Sequence, residues 1–124
     1  MSSPNPTPPL ECLVYTYLEN LVGVIPMAGA ATLVVTNPNN VQYGNTVVRS
    51  GTSYAPCDYY GYASLNIVES TTLSFRYFFQ IQYVDDNFLQ QVSTLGWAQV
   101  PNTSSVDLAT LTFYPTADSL FTEV

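Results

Sequence analysis

From Thr71 to Asp85 the chain reads T-T-L-S-F-R-Y-F-F-Q-I-Q-Y-V-D, with an apolar or aromatic residue at every odd position from Leu73 to Tyr83. The even positions between them are polar except for Phe78 and Val84. Side chains of a strand alternate faces with period two, so this pattern predicts one long strand burying its odd face. A strand this long and apolar needs neighbours on both sides, which places it centrally in its sheet.

Elsewhere the pattern is shorter in range. Residues 10–18 carry apolar side chains on both faces, Leu10, Cys12 and Val14 on one and Leu13, Tyr15 and Tyr17 on the other. This predicts a strand covered on both sides, in competition with a helical stripe of Leu10, Leu13, Tyr17, Leu18 and Leu21. In the apolar run 21–35, Gly23, Pro26 and Gly29 mark bends between two short buried strands. That run is shorter than a bilayer span, and a membrane-inserting loop is its alternative reading. Strands are expected at 31–36, 41–43, 46–50, 63–68, 89–92 and 95–100. Asn37-Pro38-Asn39-Asn40 and Gly44-Asn45 are turns between them. Residues 106–114 read as a last strand whose apolar phase shifts from Val106 and Leu108 to Leu111 and Phe113, implying a bulge near Ala109-Thr110.

Seven to nine strands with Pro, Asn and Gly turns predict an all-β domain, an antiparallel β-sandwich of immunoglobulin-like or jelly-roll type, over residues 10–124. The positions of Cys12, Cys57 and Trp97 do not follow the Cys–Trp–Cys order of an immunoglobulin domain. Ahead of it, residues 1–9 hold Pro4, Pro6, Pro8 and Pro9, which predict an extended arm unable to pair within a central sheet. That arm is expected to dock on its own domain or on a neighbouring subunit. Met1 leads into it without the basic and apolar regions of a signal peptide, so export by that route is not expected.

Composition narrows the function. Only 9% of residues are charged, with no Lys or His, two Arg (Arg49 and Arg76) and a net charge of −7. Phosphate recognition needs cations, so a nucleic-acid partner is not expected, and anionic membranes are disfavoured for the same reason. Without His or Lys there is no Ser–His or Cys–His pair and no His-based metal site, and two Cys do not build a structural zinc site. The carboxylates, including Asp85 and Asp86 beside Asn87, fit no calcium-loop motif. No enzyme activity and no cofactor are therefore expected. Cys12 and Cys57 are a candidate disulfide, with two buried thiols as the alternative. Asn102-Thr103-Ser104 is a glycosylation sequon.

Residues 51–62 read as a long loop with Tyr54, Tyr59, Tyr60 and Tyr62, together with Asp58. Tyrosine offers rigid contact area with a polar tip, so these residues form the candidate interaction surface. Two functions follow as expectations. The first is a structural subunit of an extracellular or virion assembly (capsid, decoration, tail or fibre), with copies of itself or other subunits as partners. The second is a glycan- or receptor-binding module using the tyrosines and Trp97.

Overall fold

The computed structural model describes residues 10–22, 30–43, 46–84 and 87–117. Its strands are β1 (Glu11–Tyr17), β2 (Ala31–Asn37), β3 (Val41–Tyr43), β4 (Thr46–Val48), β5 (Gly51–Pro56), β6 (Tyr62–Val68), β7 (Tyr77–Val84), β8 (Gln90–Ala98) and β9 (Ser105–Asp107). The chain is nearly all β. One sheet has the order β6-β1-β9, a second the order β5-β2-β7-β8, and β3-β4 forms a separate hairpin. Neighbours pair antiparallel except β1 and β9, which run parallel.

The two larger sheets share one core. Cys12, Val14, Ala63 and Ile67 contribute from the first, Leu33, Val35, Ala55, Phe79 and Ile81 from the second, and Leu108 from the segment just after β9. Inward positions alternate along each strand, as the pleat requires. In β2 the pattern is read without loss: Ala31, Leu33 and Val35 are buried. β1 is a strand and not a helix, but its outer face (Leu13, Tyr15, Tyr17) is only half covered or exposed, so it is buried on one side alone. The helical character there is confined to one turn, Glu19–Val22.

Four expectations change. The long strand begins at Tyr77 rather than Thr71. Glu69 is buried at the end of β6, and its Oε2 accepts hydrogen bonds from the Thr71 N–H (3.0 Å), the Thr71 hydroxyl (2.9 Å) and the Thr72 N–H (3.1 Å). These bonds hold 71–74 in a turn instead of a ladder. β7 is central as expected, between β2 and β8. The strands expected at 89–92 and 95–100 are one strand, β8, interrupted where its register against Phe79/Gln80 shifts. The strand expected at 106–114 ends at Asp107. Asp107 Oδ1 caps a 3₁₀ turn, Leu108–Thr110, through the Ala109 N–H (3.0 Å), and that turn produces the phase shift. The loop expected at 51–62 is mostly strand: β5 covers 51–56 and β6 begins at Tyr62. β5 is an edge strand, and Ala55 is its one buried position, so its alternation is faint.

Cys12 and Cys57 are both buried thiols with no disulfide between them. Cys12 lies opposite Ile67, whereas Cys57 donates its N–H to Ala31 at the Tyr62 end of the sheets. The intervening five residues of strand span about 16 Å, beyond the ~7 Å that a disulfide bridges.

Burial is the largest influence on the Glu69 carboxyl and raises its pKa, but the hydrogen bonds from Thr72 and Thr71 together outweigh it and hold the pKa below the ordinary value of 4.5. A depressed folded value means stability that is present above the unfolded pKa and lost as pH falls through the folded one. Glu69→Gln is therefore expected to cost about 1.5–3 kcal/mol at pH 7, from the charge-assisted bonds it weakens. The gap from wild type should close as pH drops below 4.5. Urea midpoints measured from pH 7 to pH 3 check this, and a gap independent of pH would contradict it.

Candidate interaction surface

One end of the two sheets is defined by backbone bonds that link their connections. Leu18 N–H donates to Gly61 O (2.8 Å), Asp58 N–H to Tyr62 O (2.9 Å), Cys57 N–H to Ala31 O (2.9 Å) and Val84 N–H to Ala30 O (3.2 Å). The β1–β2, β5–β6 and β7–β8 connections therefore emerge together at this end.

The 57–61 connection is short and built around Asp58. Its Oδ1 accepts from the Tyr60 N–H (2.8 Å) and the Tyr62 N–H (3.0 Å). Gly61 takes φ 78°, a left-handed conformation that glycine adopts without steric cost. The turn pushes Tyr59 and Tyr60 outward, 79% and 70% exposed, with their rings edge-to-face at 5.4 Å. Asp58 is thus a turn-forming residue, with one carboxylate oxygen already committed to the backbone. Tyr62 sits in β6 instead, on the outer face of the three-stranded sheet beside Tyr17 (5.3 Å) and Tyr15 (6.2 Å). Tyr54 lies on the outer face of β5, paired with Val34, apart from the loop tyrosines. Trp97, half-buried in β8, meets the Phe78 ring in a tilted contact with centroids 4.8 Å apart.

At the same end, the β7–β8 connection presents Phe88. It is 90% exposed and has φ 61°, rare for a bulky side chain. Leu89, next to it in the chain, and Val84, at the end of β7, are exposed too. Phe88 is the residue that the hydrophobic pattern did not single out. A lone aromatic after Asp85-Asp86-Asn87 looks like part of a turn, and left-handed backbone leaves no periodic trace.

Other candidates stand apart. Pro4, Pro6, Pro8 and Pro9, Asp85 and Asp86 and most of the apolar run's bend region lie outside the described residues. Among the described residues no group of three or more His, Cys, Asp or Glu comes together. A groove of ≈ 290 Å³ opens where β5 and β6 approach, lined by hydroxyl and amide groups such as Asn37, Ser50, Ser53 and Asn66, with Arg49 and Tyr77. No carboxylate or thiol lines it among the described residues. Asn102 is exposed. No family model matches the chain, and no curated protein matches it either.

Proposed function

We propose that the chain is a non-enzymatic structural subunit of a multisubunit extracellular or virion assembly, built as an immunoglobulin-like or jelly-roll sandwich. The supporting observation is Phe88. An exposed phenyl ring costs solvation, and a left-handed bulky residue costs about 1–3 kcal/mol of strain. Placing both costs at one position, at the end that also carries the exposed Tyr59 and Tyr60, makes sense when that end is covered by a neighbouring subunit. The low charge agrees, since subunits carrying few charges repel one another less at close range.

The test is light scattering after size exclusion on the full chain and on a Tyr59→Ser, Tyr60→Ser, Phe88→Gly variant. The wild type is expected to form regular oligomers. The variant is expected to fall to much smaller particles while its unfolding midpoint holds or rises slightly, because glycine relieves the strain at 88. Oligomers that survive all three changes would refute this end as the contact. A monomeric wild type that binds immobilised glycans, and loses that binding with Tyr59→Ala and Tyr60→Ala, would establish the glycan-binding module instead.

A further inference from the structure

Among the described residues, the outer face of the β5-β2-β7-β8 sheet carries no charge. Its outward positions are Thr, Val, Gln, Tyr, Pro, Phe and Trp throughout. They are knit together by uncharged side-chain bonds: Thr36 to Thr52 (3.3 Å), Gln80 to Thr94 (3.5 Å) and Gln90 to Gln82 (3.4 Å). Tyr54 and Val92 stand exposed on it. Arg76, at its corner, is buried: its guanidinium lies 3.8 Å over the Tyr114 ring, and Nη1 donates to Thr116 O. The described carboxylates are elsewhere. Glu11 and Asp107 belong to the three-stranded sheet, Glu19 and Asp58 to the end that carries Tyr59 and Tyr60, and Glu69 is buried.

A solvated sheet face alternates its buried positions with polar ones, and where those carry like charges, two such faces meeting across an interface repel. In a chain of net charge −7, the cheapest surface for meeting an identical chain is the one from which charge has been removed. We infer that this face is a self-association surface, two copies packing sheet against sheet about a two-fold axis. The inference rests on the assembly reading and names a partner within it, through a surface separate from the Tyr59, Tyr60 and Phe88 end. Six residues of strand by four strands give a face of about 20 Å by about 20 Å, roughly 400 Å² of flat area per copy. The total of about 800 Å² lies below the ~1,200 Å² of stable specific interfaces and in the range of transient ones, so the pairing is weak and concentration-dependent, not obligate.

The experiment is sedimentation equilibrium from about 10 µM to about 1 mM, a range that covers weak association. It uses the Tyr59→Ser, Tyr60→Ser, Phe88→Gly chain, to remove the other contact, with charges added at two outward positions of the face. One variant carries Gln82→Glu and Thr94→Glu, the other Gln82→Lys and Thr94→Lys. The parent is expected to shift from monomer to dimer across the range. Each charged variant should associate at least tenfold more weakly, with its circular dichroism unchanged and only a small drop in its unfolding midpoint from the lost side-chain bonds. Mixing the Glu and Lys variants should restore pairing. A parent that stays monomeric to 1 mM, dimers indifferent to the added charges, or a monomer that instead binds insoluble polysaccharide through this face would each overturn the inference. None of these results bears on whether the Phe88 end assembles, which the unmodified chain reports.

Discussion

Phe79→Ala is expected to lower the unfolding free energy by about 3–5 kcal/mol, the range for deleting a buried phenyl ring. Phe79 is fully buried in the middle of β7 and meets the Phe113 ring edge-to-face at 5.8 Å. It pairs with Val35 on one side and Gly96 on the other. Its ring therefore fills the space between the sheets where β7 faces the segment following the 3₁₀ turn, and no neighbour can move in without breaking a ladder. A domain of this size has about 5–15 kcal/mol in total, so one substitution removes a large share. Urea unfolding checks it: the midpoint should drop with the slope preserved. Phe79→Leu, which keeps most of the volume, should cost less than half as much. A loss under about 1 kcal/mol for Phe79→Ala would mean that the ring is not part of a close-packed core.

Gly96→Ala is the second large effect, expected at about 2–4 kcal/mol from strain and from broken backbone bonds. Gly96 has φ 119°, outside the conformations that side-chain-bearing residues readily adopt. A Cβ there would lie 2.9 Å from the Tyr114 carbonyl oxygen and 3.3 Å from Phe113 Cβ. The neighbouring bridge would have to open: Trp97 N–H to Tyr114 O (2.9 Å) and Tyr114 N–H to Trp97 O (2.7 Å). Trp97 is the only tryptophan, so its emission reports this event directly. The variant should show red-shifted fluorescence in its folded state and a lower midpoint. Unchanged fluorescence and an unchanged midpoint would show that the 113–117 segment is not held at Gly96.

What the sequence made legible follows from how many inward positions each strand has. β2 and the odd face of β7 were readable because Leu33, Val35, Phe79 and Ile81 repeat at the pleat's period and all face the core. β5 was not, since an edge strand with only Ala55 buried carries almost no periodic signal. The start of β7 was overestimated because the alternation through Leu73 and Phe75 is real in the letters. Three hydrogen bonds to one Glu69 oxygen nonetheless outweigh a weak strand preference. The shift of phase at 106–114 has the same pattern in the letters whether it comes from a bulge or from the 3₁₀ turn that Asp107 caps. Of the tyrosines expected in one loop, Tyr59 and Tyr60 lie in a connection, while Tyr54 and Tyr62 belong to strands on different sheets. Nothing periodic marks Phe88, whose significance lies in its backbone.

The parallel pairing of β1 with β9 sets an order of events during synthesis. β1 can zip to β6 once Val68 has left the ribosome, but its other edge waits for Ser105–Asp107, about ninety positions after the Leu13 they pair with. At about 5–20 residues per second, the interval between the two is a few seconds. Throughout it the nascent chain offers an unpaired strand edge to any neighbouring chain, guarded only by Glu11 at its start. On a polysome, where identical nascent chains crowd together, the risk of mispairing is therefore set by translation speed between residues 68 and 107.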